Sequence, residues 1–160
     1  MVGKRRRFAL ADTAQQVVGG FLLAGPFVVT EEVWVLARSM SILQGVVTGC
    51  IVLSVGYAAL YKADDRDPDR ERDLAGVPVR FISLVLVSYL SVFVLALAFD
   101  APGTFLADLA VESPRILGVA LEITVLGMHL DGAVLGVTLK ATTVGAVFSV
   151  IGAATADSLF

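Results

Sequence analysis

Two stretches, residues 42–60 and 79–99, are almost continuously apolar, and together they carry one charged residue, Arg80, at the edge of the second. A run of about 18 or more such residues is long enough to cross the hydrocarbon core of a bilayer as a helix. Barrel strands would alternate apolar and polar positions over about ten residues, and neither stretch does so. Because lipid offers no hydrogen bonds, each segment must satisfy its own backbone groups, which favours helices. The expected fold class is all-α: a polytopic transmembrane helical bundle forming a single membrane domain over residues 1–160.

Composition points the same way. The chain is 57% hydrophobic, with mean hydropathy +0.85 and formal net charge -3, and its charges lie in blocks rather than on helix faces. That balance belongs to an integral membrane protein whose partner is the lipid bilayer. Cys50 is the only cysteine and His129 the only histidine, so an intrachain disulfide and a cysteine-based metal cluster are excluded. No metal site and no cofactor are expected. The Asp-rich, Lys-poor balance resembles that of halophilic archaeal proteins, or simple GC-rich codon bias.

Hydropathy predicts about five spans, 17–37, 42–61, 79–99, 114–130 and 132–154, with a charged loop at 62–78. The basic start, Lys4, Arg5, Arg6 and Arg7, looks like that of a signal peptide. The following apolar run is too long and lacks an Ala-x-Ala cleavage site, so it reads as a retained first span. The mixed-charge, proline-broken loop at 62–78 reads as solvated, with little reason to pack. Ser113 and Pro114 look like an N-cap and first helical position for span four. Nine Lys and Arg residues lie in the N-terminal tail and in 62–80, against Arg38 and Arg115 in the other connections. Both basic segments are therefore expected to be cytoplasmic in a multi-pass cell-membrane protein, with the C-terminus outside. Should 103–130 dip in without crossing, or form one long tilted helix, there are four spans and the C-terminus returns to the cytoplasm.

The candidate ion or proton path consists of Glu31, Glu32, Glu122 and Lys140. Glu122 and Lys140 lie nine residues either side of Asp131. A fold-back at 129–132 would set them at equal depth on adjacent helices, where Thr138, Thr142 or Thr143 could complete their hydrogen bonds. Charge in the membrane interior is costly, about 2.5–3.5 kcal/mol on insertion scales, and such residues find partners or serve a function. A static structural pair is one reading and a proton- or cation-coupled pair the other. In span one, Pro26 removes a hydrogen bond and predicts a kink. Gly20, Ala24, Phe27 and Glu31 share a face, which directs Glu31 into the bundle and Glu32 about 100° away. Alternatively both carboxylates reach the interface, with Trp34 as an aromatic anchor. His129 reads as an interfacial polar residue near the turn.

Candidate helix-packing residues are Gly20, Gly45, Gly49, Gly56, Gly132 and Gly136, since small residues let membrane helices approach closely. The stripe through Gly45, Gly49 and Gly56 in span two serves packing within the bundle or a homodimer contact, and makes Gly49 more sensitive to leucine than Ser88 in span three. The sequence has no Gly-x-Ser-x-Gly, His-Glu-x-x-His, phosphate-binding glycine loop or Cys-x-x-Cys, so it is not expected to be an enzyme. Nucleic-acid binding is not expected either, because topology and anionic lipid explain the basic tail.

Across Gly25, Pro26 and Phe27 to Thr30, Glu31, Glu32, Val33 and Trp34, and again over Val147 to Ala154, the chain resembles an uncharacterised family of small archaeal and bacterial integral membrane proteins. That resemblance implies a membrane location and no activity. A vaguer likeness of Arg7, Phe8 and Asp12 to a small potassium-channel family lacks that family's Phe-Ser-Asp triplet. Two functions are expected: an oligomeric cation or proton channel or transporter using intramembrane carboxylates, or a non-transporting structural or assembly subunit of a membrane complex. Either implies a homo-oligomer or a membrane partner subunit.

Overall fold

A computed structural model describes residues 10–62, 67–68, 71, 73–109, 123–125, 128–130 and 132–159. Its elements are α1 (Leu10–Val28), α2 (Glu31–Ser39), α3 (Ile42–Tyr57) extended by a π-helical turn (Ala58–Lys62), β1 (Asp73–Leu74), β2 (Val77–Pro78), α4 (Val79–Ala98), α5 (Ala101–Phe105), β3 (Ile123–Val125), β4 (Met128–Leu130) and α6 (Gly132–Leu159). The architecture is all-α apart from two small antiparallel hairpins. Three helical segments are long and apolar enough to cross a membrane: Ile42–Lys62, Val79–Ala98 and Gly132–Leu159. The pair α1 and α2 supplies a fourth if taken as one broken span. Five crossings are not seen among the described residues.

Helices α1, α4 and α6 form the central trio, and α3 lies outside it against α6 and α4. The order is up, down, up, down. Gly19 of α1 meets Gly152 of α6, while Gly56 and Gly45 of α3 face Val150 and Lys140 of α6. The α1–α6 crossing is close enough that a Cβ at Gly19 would run into the Gly152 carbonyl, and one at Gly152 into that of Gly19. Phe27 and Phe148 stack farther along the same contact, with ring centroids 3.7 Å apart. Two apolar clusters fill the bundle. One surrounds Trp34, Val92, Val137 and Ala141; the other surrounds Val52, Leu60, Leu84 and Val150.

The first expected span is not one straight crossing. Helix α1 continues through Pro26 and ends at Val28, and α2 leaves at 82° to it. The bend satisfies the carbonyls that it frees, because Thr30 Oγ1 donates to the Phe27 carbonyl at 3.0 Å and Trp34 Nε1 to the Val28 carbonyl at 2.9 Å. Nineteen residues of α1 rise about 28 Å, nearly the hydrocarbon thickness. Helix α2 turns away across the end of α1, with Trp34 and Ala37 buried beneath it and Glu31, Glu32 and Arg38 exposed. Trp34 is therefore a core residue, only 2% exposed, and not an exposed anchor.

A continuous helix over 114–130 is likewise corrected. Its described residues pair as antiparallel strands, Ile123 with Leu130 and Val125 with Met128; β-branched Ile123, Thr124 and Val125 suit a strand. The remainder of that stretch lies outside the described residues. Part of the loop at 62–78 is also ordered into a hairpin, with Ala75 and Gly76 at φ +54° and +84° in its two-residue turn.

Candidate functional site

Helix α4 begins with Arg80, whose guanidinium is 7% exposed and gathers three carboxylates from three other parts of the chain. Nη1 donates to Asp157 Oδ2 of α6 at 2.7 Å and Nη2 to Asp12 Oδ2 of α1 at 3.1 Å, while Nε lies 3.2 Å from Glu71 Oε1. Only arginine offers a planar fork of five N–H donors able to meet several acceptors at once. The network continues inward. Gln16 Nε2 donates to Asp157 Oδ1 at 3.1 Å, Ser83 Oγ donates to Gln16 Oε1 at 2.8 Å, and Tyr61 donates to Glu71 Oε2 at 2.9 Å. Asp157 is fully enclosed, and burial of charge at such a site is sustained by pairing and hydrogen bonds. Among the described residues no group of His, Cys, Asp or Glu side chains is arranged to share a metal ion.

This cluster was missed in the sequence, where Arg80 counted only as a loop charge. A signal did exist. Asp12 and Gln16 lie four residues apart, and Arg80 and Ser83 three apart, so each pair shares a helix face.

At the opposite end Arg38 of α2 holds Asp108 through both guanidinium nitrogens, Nη1 to Oδ2 at 3.0 Å and Nη2 to Oδ1 more closely. This hydrogen-bonded pairing lowers the Asp108 carboxyl below the ordinary carboxylate range and raises Arg38. Lys140 lies at this end as well. Its ammonium donates to the Met40 carbonyl at 2.7 Å, at the C-terminal cap of α2. There a cation complements the negative end of the helix dipole.

The described charges thus occupy two belts. Asp12, Lys62, Glu71, Arg80 and Asp157, with Asp67 and Asp73 of the adjoining loop, form one, and Glu31, Glu32, Arg38, Asp100, Asp108 and Lys140 the other. The 17 residues from Lys140 to Asp157 rise about 26 Å, close to the thickness of the hydrocarbon core. Lys140 therefore sits near a boundary rather than at mid-depth. Its proposed partner Glu122 lies outside the described residues, as does Asp131, and the backbone of His129 belongs to β4.

Glu31 does not point into the bundle. The bend places Glu31 and Glu32 in the exposed first turn of α2, where the positive end of the dipole favours carboxylates. Thr138, Thr142 and Thr143 serve no charge pair, since each hydroxyl donates to the carbonyl four residues earlier. Among the packing glycines, Gly20 lies tight against Ser91 and Ser149, and Gly56 against Val150. Gly45 and Gly49 have only ordinary contacts, and a Cβ on Gly132 or Gly136 would meet nothing within 4 Å. Three further close approaches between helices, at Gly19, Gly145 and Gly152, carry no distinguishing signal in the sequence.

Between the belts runs a seam of small polar groups. Ser88 donates to the Leu84 carbonyl, Ser149 donates across to the Gly20 carbonyl at 3.0 Å, and the buried Ser91 hydroxyl has no hydrogen-bond partner among the described residues.

Long apolar helices bounded by charged belts define a multi-pass helical integral membrane protein. The family model described as "Putative integral membrane protein (DUF2391)" matches residues 3–101, and the chain belongs to that family. The match contains the 25–34 motif and the Asp12, Glu71 and Arg80 part of the network, but not residues 147–154 or Asp157. No curated protein and no solved structure matches the chain significantly.

Proposed function

We propose that the protein is a non-transporting membrane component, a small bundle whose charges secure its own fold and whose outer helix meets another copy or a partner subunit. The supporting observation is the two-belt arrangement: no charged side chain of the described helices lies between the levels of Lys140 and Asp157. The outer surface of α3 is consistent with a partner, since Leu43, Val47 and Leu53 are exposed away from α6. In the sequence the basic segments adjoin α1 and α4 at the ends that hold Asp12 and Arg80, and the positive-inside rule supports a cytoplasmic position for that face.

A second reading, a proton or cation path, draws support from the polar seam that descends from Asp157 and Gln16 through Ser149 to Ser91. Glu31, Glu32 and Lys140 would then serve its far end. Vesicle reconstitution separates the two. The first reading expects proton and potassium flux no higher than in empty vesicles. Flux above that level, abolished by Ser91→Ala, overturns it in favour of the second.

A further inference from the structure

A groove of about 450 Å³ opens between α3 and α6, within the range of pockets that hold small ligands. Its walls include Ile42, Gly45 and Gly49 on one side and Gly136 on the other, with Tyr89 at its deep end and Lys140 between its two halves. Lys140 is its single charged lining residue. The ammonium has three donors and gives one to Met40, and among the described residues no carboxylate pairs with it. The groove is apolar below Lys140, toward Val46 and Tyr89. Above it, Gly132 and Gly136 leave open space beyond their Cα atoms.

We propose that this groove binds one anionic phospholipid, with its phosphate on Lys140, its headgroup over Gly132 and Gly136, and an acyl chain along Gly49 and Tyr89. The match is one of charge and level. One cationic lining residue above a largely apolar slot fits a molecule with one anionic end and one hydrocarbon end, and it faces the phase in which such molecules are solvent. The site does not depend on whether the chain transports anything.

The test compares thermal melting in detergent, and lipid retained in native mass spectrometry, after addition of phosphatidylglycerol or phosphatidylcholine with identical chains. The wild type should retain phosphatidylglycerol preferentially and melt higher with it. Lys140→Met should weaken its retention about fivefold, the effect expected of one cation beside anionic lipid, and Lys140→Arg should keep the preference. Gly136→Leu, placed where space is open, should lower retention while the unliganded protein melts as the wild type does. The Lys140→Arg and Gly136→Leu arms decide the matter if Lys140→Met does not fold. Equal retention of the two lipids by the wild type overturns the proposal. So does an equal melting shift from glycerol phosphate alone, which would make the site one for a soluble anion. A change in subunit number with Gly136→Leu, without change in lipid retention, assigns the groove to a second copy and also overturns it.

Discussion

At the scale of single residues, Arg80 is the side chain on which most depends. Its replacement by methionine removes a cation that three carboxylates contact, and breaking a buried ion pair from one side costs about 3–5 kcal/mol. Lysine should fare nearly as badly, because a single ammonium cannot span Asp12, Glu71 and Asp157 together. Arg80→Met combined with Asp157→Asn should recover part of the loss, as expected for coupled neighbours. Detergent melting curves of the wild type, the two Arg80 variants, Asp157→Asn alone and the double variant check this. Strict additivity of the single effects in the double variant would dissolve the pair as a unit. The sequence shows that these residues are charged, but not that they meet, since 77 positions separate Arg80 from Asp157. The sensitive glycines are obscure for the same reason. Spacing alone ranks the Gly45, Gly49 and Gly56 stripe first, whereas tight contact is decided by which helices cross, and that keeps Gly56 and adds Gly19, Gly152 and Gly145. The ranking of Gly49 above Ser88 reverses too: Ser88 is wholly buried, and a Cβ on Gly49 would find the Tyr89 hydroxyl at 3.7 Å.

At the scale of elements, long apolar runs were the legible part. Residues 42–60 and 79–99 are helical because nothing in them offers the backbone an alternative to its own hydrogen bonds. The bend after α1 was half legible. Pro26 announces a weakened helix, but the 82° turn arises three to four residues later, where Thr30 and the distant Trp34 ring take over the loose carbonyls. The Arg38–Asp108 bridge ties helix α2 to the segment after α5 and gives that end a pH dependence. Because the Arg38 hydrogen bonds hold the Asp108 carboxyl below its ordinary value, the bridge contributes fully at neutral pH and is lost as pH falls through the lowered value. Amide exchange over 101–109 should therefore rise on acidification, after correction for intrinsic rates. An Asp108→Asn protein with the same pH profile would sever that link.

At the scale of the whole molecule, the described helices return Asp157 to the face that holds Asp12 and Arg80, so the first turn of α1 and the last turn of α6 share one side. Single cysteines placed at Asp67 and Ser158 in a Cys50→Ser background should behave alike toward an impermeant thiol reagent in intact cells, and both should stay unlabelled if that face is cytoplasmic. Labelling of one but not the other would restore an odd number of crossings. The sequence left this choice open because 103–130 is too mixed in character for hydropathy alone to decide whether it crosses. A different consequence lies in the order of synthesis. Helix α6 is the principal neighbour of α1, α2 and α3 alike, yet of these it is the last to leave the ribosome. The earlier helices must enter the bilayer and wait there with their best partner still unmade, α3 above all, so the bundle closes only as its final helix arrives.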